Sequence, residues 1–414
     1  MASNQSPPPG VRGSARIGAD PVAARQPPLM RTRRRSGRIG GVSVLQLLLA
    51  EGVLVAVALV FVRHPLVGAI AIVLGVLLLI LAFGRSGGRW WTEILALRWQ
   101  FRRRRSARRV PAEDMRLTAL RALAPDLVVR ERVLQGDQDR IGVGQDGAGW
   151  FAAAAVLPPA GIRAQAPAPL PVDKLVEVLT EAGQPGTVLQ VVTHTVPAPG
   201  MLVAGPAYAD SYRELVSLAG EAPPQEQALW VAVRADAQSL ARTVVDGATA
   251  DDVPTLVATL ARRATKLLRR DGFRASLLSP DELVDALVTS AGLDEYDPHH
   301  STAREEWTAW HANGLAHATF WVRSWPGLSA ASSMLERLAA TPASFTSVTL
   351  ILEPQGQETT LRCLVRVAAP AEVLAMSCQT LEAAARQYGA ELFRLDGEQA
   401  PAAYTSAPSG GGAR

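Results

Sequence analysis

Two long apolar segments near the N-terminus are separated only by Arg63, His64 and Pro65. The first, 43–62, contains two strongly polar side chains, and the second, 66–83, contains no charged side chain. At a rise of about 1.5 Å per residue, each helix would cover roughly 27–30 Å, the thickness of the hydrocarbon core of a bilayer. Because backbone amides cannot remain unpaired in lipid, the pattern predicts a transmembrane helical hairpin over 42–83.

Arginines flank this hairpin on both sides. They lie at 31, 33, 34, 35 and 38 before it and at 85, 89, 98 and 102–105 after it. The positive-inside rule therefore predicts a multi-pass protein of the cell membrane whose N- and C-termini are both cytoplasmic.

The rest of the chain alternates strand-like and helix-like patterns, which predicts an α+β class. We expect a cytosolic, α/β-sandwich-like body of mostly antiparallel sheets with helices. The predicted strands are 127–134, 140–145, 149–157, 187–196, 227–234, 273–278, 305–311, 315–323, 344–353, 359–367 and 391–395. The predicted helices are 171–182, 210–218, 252–270, 281–293, 329–339 and 370–388.

The body divides into a first half, 111–293, and a second half, 305–396, with a polar linker at 294–304. Both halves follow the order hairpin, helix, strand, strand, helix, strand, which suggests an internal duplication. The Asp146-Gly147 and Asn313-Gly314 pairs mark the turn of the hairpin in each half.

Three further segments differ from the body in composition. Residues 1–40 are rich in proline and arginine, so we expect a disordered basic tail that lies against anionic headgroups of the bilayer. Residues 397–414 are mostly Ala, Pro, Ser and Gly, and we expect a second disordered tail. Residues 84–110 form a juxtamembrane segment in which tryptophans lie beside arginines, a pattern typical of a membrane surface.

Glu51 lies midway along the first apolar segment, where a charge costs on the order of 2.5–3.5 kcal/mol. Its carboxyl group is either neutral and bonded to Gln46 or to the backbone, or in contact with a partner's membrane helix; a proton pathway is the third alternative. The residues that we expect to contact the membrane or a partner are Glu51, Gln46, Trp90, Trp91, Trp99, Arg102, Arg103, Arg104 and Arg105.

No stretch of the sequence indicates catalysis. The run Gly142–Gly147 fits G-x-G-x-x-G but leads into a strand rather than a helix, and no phosphate-binding G-x-x-x-x-G-K-[ST] motif occurs. Asp251-Asp252 is better explained as a helix N-terminus, and the cluster of Asp294, Glu295, Asp297, His299 and His300 as a solvated loop. We therefore expect no catalytic, cofactor-binding or metal-binding residues.

Composition narrows the class of partner. The net charge is only +4 and its excess lies beside the hairpin, so the body offers no basic patch for nucleic acid. The two cysteines, Cys363 and Cys378, indicate a reducing compartment rather than a disulfide framework.

The order of segments (basic tail, two-helix hairpin, arginine-rich juxtamembrane segment and body), together with two sequence stretches, resembles a known family. The sequences Arg140-Ile-Gly-Val-Gly-Gln-Asp-Gly-Ala-Gly-Trp-Phe and Glu306-Trp-Thr-Ala-Trp-His-Ala-Asn-Gly-Leu-Ala-His-Ala-Thr-Phe-Trp are similar to EccE, the E-component of the type VII (ESX) secretion machinery of actinobacteria. The resemblance covers about residues 40–395.

The resemblance implies a non-catalytic scaffolding subunit of the inner-membrane translocon, which supports protein export powered by a separate ATPase subunit. Its partners would be EccB-, EccC- and EccD-like components. Two alternatives remain open at this point, a membrane-tethered enzyme such as a glycosyltransferase and a membrane-tethered ligand-sensing domain.

Overall fold

The structure is a computed structural model. It describes residues 29–32, 38–39, 42–86, 89–106, 114–134, 140–157, 170–184, 186–197, 226–237, 239, 252–294, 303–355 and 358–412. The helices within these ranges are α1 (Val44–Arg63), α2 (Pro65–Phe83), α3 (Trp91–Ser106), α4 (Met115–Arg121), α5 (Val172–Glu181), α6 (Asp252–Arg270), α7 (Pro280–Ala291), α8 (Leu328–Ala339), α9 (Ala371–Gln387) and α10 (Gln399–Thr405).

The strands of the first part of the chain are β1 (Leu29–Thr32), β2 (Arg38–Ile39), β3 (Val42–Ser43), β4 (Arg85–Ser86), β5 (Arg89–Trp90), β6 (Val128–Val133), β7 (Arg140–Asp146), β8 (Gly149–Leu157), β9 (Thr187–Val196), β10 (Glu226–Asp236) and β11 (Arg274–Leu277). Those that follow are β12 (Arg304–Glu305), β13 (Trp310–Ala312), β14 (Leu315–Ser324), β15 (Phe345–Gln355), β16 (Glu358–Pro370) and β17 (Glu391–Arg394).

The two apolar helices α1 and α2 form a hairpin joined by a single non-helical residue, His64. Pro65 at the first position of α2 requires the preceding residue to be extended, which turns the chain back at this point. The buried residues of α2 are Gly68, Gly75 and Ala82, so small side chains let the two helices approach closely. By length and composition both helices could cross a membrane, and most of their large apolar side chains are exposed.

One large sheet forms the described part of the body, and the pairings between its described strands are antiparallel except that of β1 with β16. Its main path has the strand order β12-β13-β14-β16-β15-β9-β10-β8-β7-β6, with β11 also paired to β8 and β17 to β14. The strand order from β12 to β15 matches that from β6 to β9, and β15 and β9 pair antiparallel at the centre. The sheet is therefore continuous across both halves of the chain.

Successive residues of a strand point to opposite faces of the sheet, so both faces carry apolar side chains. Helices therefore cover both faces. On one face, α5, α6, α8 and α9 bury an apolar layer that includes Val191, Val231 and Val365. On the other face, α4, α7 and α10 pack over Phe151, Trp230 and their neighbours. The second face also carries buried polar side chains toward the middle of the sheet.

Residues of the local sequence determine where helix α7 begins and ends. Ser279 and Glu282 form a reciprocal capping box at its start, with Pro280 at the first helical position. Gly292 ends the helix with a φ of 69°, a left-handed conformation that favours glycine. Arg116 of α4 joins α4 to α7 through ion pairs with Asp281 and Asp285.

The expected disorder of the C-terminal tail, 397–414, is wrong for the residues that the structure describes. Residues 399–405 form α10, and 406–412 continue as a buried segment. Composition alone favoured disorder because the segment has few large apolar groups of its own. Buried polar side chains of the sheet hold it instead, and Gln190 illustrates this by donating to the carbonyl oxygens of Thr405 and Ala407 and accepting from the Gly410 amide.

The expected disorder of the N-terminal tail, 1–40, is also wrong in part. Strand β1 pairs in parallel with residues 358–361 of β16, and β2 pairs with β3. Strand β14 covers only residues 364–370 of β16, so the preceding backbone groups are open for β1. Residues 1–28 lie outside the described part of the chain.

Two other expectations differ from the structure or fall outside it. The strand predicted at 305–311 is broken into β12 and β13, since residues 306–309 turn with a hydrogen bond from the Glu306 amide to the Ala309 carbonyl. The helix predicted at 210–218 and most of the linker at 294–304 lie outside the described residues.

Candidate functional site: the hairpin and its junction with the body

The two polar side chains of α1 lie in different surroundings. Gln46 is buried in the hairpin, and its Nε2 donates to the carbonyl oxygen of Ala82 at 2.7 Å. Glu51 is exposed on the outer surface of the hairpin, next to Gly52. The structure therefore does not bring Glu51 and Gln46 together. The hydrogen bond of Gln46 joins α1 to α2 instead.

Of the tryptophans predicted as a membrane-surface belt, Trp90 and Trp91 lie at the start of α3 and Trp99 lies midway along it. The Trp90 ring packs edge-on against Phe83, with Arg85 above it, and the Trp91 ring lies against Gly84. A Cβ atom at Gly84 would lie 2.6 Å from the Trp91 ring, so glycine permits this tight passage from α2 into α3. Trp99 is 64% exposed, and Arg103 lies over its ring.

The four consecutive arginines of α3 separate into two groups. Arg104 is directed at the body, where it donates to both carboxylate oxygens of Glu305 at 3.1 and 3.2 Å and to the Gly397 carbonyl. Arg102, Arg103 and Arg105 are exposed. Arg104 thus ties the juxtamembrane helix to the sheet.

Further contacts that the sequence did not predict hold α3 and the residues before it on the body. Arg89 forms an ion pair with Glu398 at 2.7 Å and lies over the Phe393 ring. Phe101 packs edge-on against Trp307, with ring centroids 5.6 Å apart. The pattern of aromatic and basic residues had indicated a membrane surface, and no sequence signal distinguishes that role from packing against a protein.

The C-terminal segment shares this junction. Glu305, the partner of Arg104, also accepts a hydrogen bond from the Ala400 amide at the start of α10. Residues 397 and 398 contact Arg104 and Arg89, as described above. The hairpin, the juxtamembrane helix and the C-terminal segment are therefore physically connected through a few charged groups.

The C-terminal segment then crosses the polar face of the sheet, where Asp146 pairs with Arg234 and accepts from the Tyr404 hydroxyl at 2.8 Å. Burial acts to raise the pKa of Asp146, but the hydrogen bonds and charge of Arg234, with the Ala148 amide and Tyr404, hold it below its usual value. Burial raises the pKa of Tyr404, and the Asp146 charge adds to this effect.

A second buried cation, Arg366, lies in the other half of the same face. It donates to Ser406 Oγ at 2.7 Å and to the Ser290 carbonyl, and His317 Nδ1 lies 3.2 Å from its Nη1. Burial lowers the pKa of Arg366 to about 9. Burial, with the nearby Arg366 charge, also lowers the pKa of His317 well below 6.5 and that of His194 to about 3.

The sequence motifs that resemble ligand sites have structural explanations here. Gly142 and Gly144 lie in β7, where Gly144 leaves space for the Phe151 ring. Asp252 begins α6. Among the described residues, no group of three or more His, Cys, Asp or Glu is placed to hold a metal ion. Of the acidic and histidine cluster that begins at Asp294, the structure describes only that first residue.

Comparison with protein families gives one match. Residues 224–322, which run from β10 to β14, match the family model described as "Putative type VII ESX secretion system translocon, EccE". No curated protein matches the chain. The matched region contains the sequence from Glu306 to Trp321, on which the resemblance also rests. This region of the chain is therefore similar to the EccE family of type VII ESX secretion components.

Proposed function

We propose that this protein is a membrane scaffold of the type VII secretion translocon, with the hairpin as its anchor and the body as its platform on the cytoplasmic side. The observation that carries the proposal is the EccE match over 224–322 in a chain that also has an exposed apolar hairpin. The family is described as a secretion translocon component, and export would be powered by a separate ATPase subunit. The neighbours would be EccB-, EccC- and EccD-like subunits.

The pairing of β1 with β16 supports the topology. Residues 29–32 precede the hairpin and residues 358–361 follow it, yet they are hydrogen-bonded neighbours in one sheet. Two helices that cross a bilayer and return place both flanks on the same side. With arginines on both flanks, the positive-inside rule puts that side in the cytoplasm.

Glu51 supports a contact between the hairpin and a partner's membrane helix. Its side chain is exposed on the hairpin, and a carboxylate exposed to lipid tails is costly. A partner helix that offers a hydrogen-bond donor would remove this cost. The exposed Trp99 and the exposed arginines 102, 103 and 105 are then the groups that contact headgroups or a neighbouring subunit.

The matching strand orders support the idea of two duplicated halves. The hairpins β7–β8 and β13–β14, the helices α5 and α8, and the pairs β9–β10 and β15–β16 follow one another in the same sequence. In this proposal the antiparallel β9–β15 pair lies on a pseudo-twofold axis. Such a body would present two similar surfaces to its neighbours.

A deletion strain of the native host tests the proposed function. Membranes are solubilised in mild detergent, and the translocon is followed on native gels by its ATPase subunit. We expect the large assembly to lose mass or disperse without this chain and to return with a full-length copy. The scaffold role would be contradicted if the assembly of the deletion strain kept its mass and the assembly of the wild type contained none of this protein.

A further inference from the structure

A cavity of about 350 Å³ lies where the juxtamembrane helix meets the body. Its walls come from the end of α3, the residues that follow α4, strand β12 and the start of α10. It is thus built from the elements that join the hairpin to the C-terminal segment. A volume of this size accommodates a small ligand or the polar head of a lipid.

The lining is strongly basic. It includes four guanidinium groups and one carboxylate, together with the buried indole of Trp310; the charged residues are Arg104, Arg105, Arg121, Arg304 and Glu305. The carboxylate of Glu305 is already occupied by Arg104 and by the Ala400 amide. The cavity lining therefore carries a positive charge that its own acid does not balance.

The guanidinium groups lie at different depths. Arg104 is held by Glu305, and Arg121 donates to the Leu127 carbonyl at 3.2 Å. Arg105 and Arg304 are the outer pair: Arg105 is exposed and lies over Phe101, and Arg304 pairs with Glu306 at the surface. An entering anion would meet these two side chains first, and both can turn toward it because neither is buried.

We propose that this cavity binds a phosphate group, carried either by an anionic lipid headgroup or by a soluble phosphate compound. Guanidinium groups match phosphate oxygens with paired, charge-assisted hydrogen bonds, and clusters of arginine are the usual way in which proteins bind phosphate. Basic pockets on the cytoplasmic side of membrane helices bind lipid headgroups in the same way. The bound anion would link α3, β12 and α10 and so strengthen the attachment of the hairpin to the body.

This site goes beyond the proposed function and does not depend on any partner subunit, so it is tested on the isolated full-length protein in a neutral detergent. The probes are dioctanoyl phosphatidylglycerol, dioctanoyl phosphatidylcholine and inorganic phosphate, each titrated while Tm is followed. The test variant is Arg105→Gln with Arg304→Gln, which spares Arg104 and Arg121. The matched control is Arg102→Gln with Arg103→Gln, which removes two charges from the same helix outside the cavity.

We expect phosphatidylglycerol or inorganic phosphate to raise Tm more than phosphatidylcholine does, and the test variant to bind at least tenfold more weakly than the control. Binding of phosphatidylglycerol alone assigns the lipid as the source, and binding of inorganic phosphate assigns a soluble compound. An equal loss in both variants, or no response of the wild type beyond that to phosphatidylcholine, would overturn the proposal.

Salt dependence keeps the test valid if the double variant does not fold. Binding to a basic cavity weakens as ionic strength rises, because salt screens charges that are partly exposed. We therefore expect the wild-type affinity to fall several-fold between 50 and 300 mM sodium chloride. Unchanged affinity over this range would overturn the proposal.

Discussion

Arg104 and Glu305 join two parts of the chain that are 201 residues apart, with Nε of Arg104 3.1 Å from Oε2 of Glu305. The glutamate side chain is only 8% exposed, so the pair is partly desolvated. It links the helix that leaves the hairpin to the first strand of the second half of the sheet. This ion pair, with the Phe101–Trp307 contact, fixes how the hairpin is attached to the body.

A double-mutant cycle measures the strength of this attachment. We expect Arg104→Ala and Glu305→Ala to show a coupling free energy of about 1–3 kcal/mol in the unfolding of the protein in detergent, as contacting charged residues do. The control cycle uses Arg304 and Glu306, an ion pair of neighbouring residues whose side chains are 61% and 44% exposed. That pair should couple by less than about 1 kcal/mol, and equal values for the two cycles would contradict the assigned role of Arg104.

The hydroxyl of Tyr404 provides a test of the C-terminal segment. Tyr404→Phe removes a hydrogen bond to the buried Asp146 and should lower the free energy of unfolding by about 1–3 kcal/mol. Tyr388→Phe is the matched control, because Tyr388 lies half-buried at the C-terminal end of α9 and packs against an apolar cluster. We expect the control to change Tm by much less. Two equal and small changes would mean that residues 399–412 are not held on the sheet.

The buried histidines predict a loss of stability in acid. The pKa of His317 and of His194 is lowered by burial, so the unfolded chain binds more protons than the folded one below pH 6.5. Stability is therefore full above about pH 6.5 and decreases as the pH falls toward the folded pKa. From pH 7 to pH 5 each histidine accounts for roughly 2 kcal/mol, starting from an ordinary pKa of about 6.5.

Substitution of one buried histidine measures how much that residue contributes to the loss of stability in acid. His317 lies against Arg366, Trp310 and Phe345, with His311 and His194 as its titratable neighbours. We expect His317→Gln to reduce the fall in Tm between pH 7 and pH 5, and His311→Gln, at a partly exposed position in the adjacent strand, to leave most of it. Identical pH profiles for the wild type and His317→Gln would contradict this explanation.

Glycines of the hairpin offer a matched pair of substitutions. A Cβ atom at Gly68 would lie 2.6 Å from the Cα of Phe61, whereas one at Gly52 would have nothing within 4 Å. Gly68→Val should therefore push α1 and α2 apart, and Gly52→Val should not. Spin labels at the exposed Leu54 and Leu78 report the separation. Equal distance distributions in the two variants would show that the helices are not packed through Gly68.

Glu51 is predicted to act in assembly rather than in folding. Because its side chain is exposed on the hairpin, Glu51→Leu should leave the Tm of the isolated protein unchanged. The same substitution should reduce the amount of copurifying membrane subunits several-fold. Leu74→Ala, on the exposed side of α2, is the control and should retain them. Full recovery of the subunits by Glu51→Leu would show that lipid, not a partner, surrounds this carboxyl group.

Local patterns in the sequence predicted the α+β class and most of the observed elements, because hydrophobic periodicity and turn residues act over short distances. The Asn313-Gly314 turn is an example: both residues have positive φ values, 48° and 73°, as a two-residue hairpin requires. Composition gave the wrong prediction for residues 397–412. Their ordered structure depends on hydrogen bonds with Gln190, Arg234 and Arg366, which lie far away in the sequence.

The candidate site could be predicted only in part for the same reason. Arginines and tryptophans beside an apolar segment indicate a membrane surface, but Arg104 and Phe101 contact Glu305 and Trp307 of the body. Sequence spacing gives no sign of contacts between residues about 200 positions apart. Likewise, the contact of His317 with Arg366 depends on the pairing of β14 with β16, which local sequence does not reveal.

Affinity purification of the full-length protein from its native host in mild detergent, with mass spectrometry of the copurifying proteins, is the most direct test of the scaffold role. We predict the recovery of EccB-, EccC- and EccD-like subunits in one large assembly. Recovery of this chain alone, folded and stable without those subunits, would contradict the proposed role in the translocon.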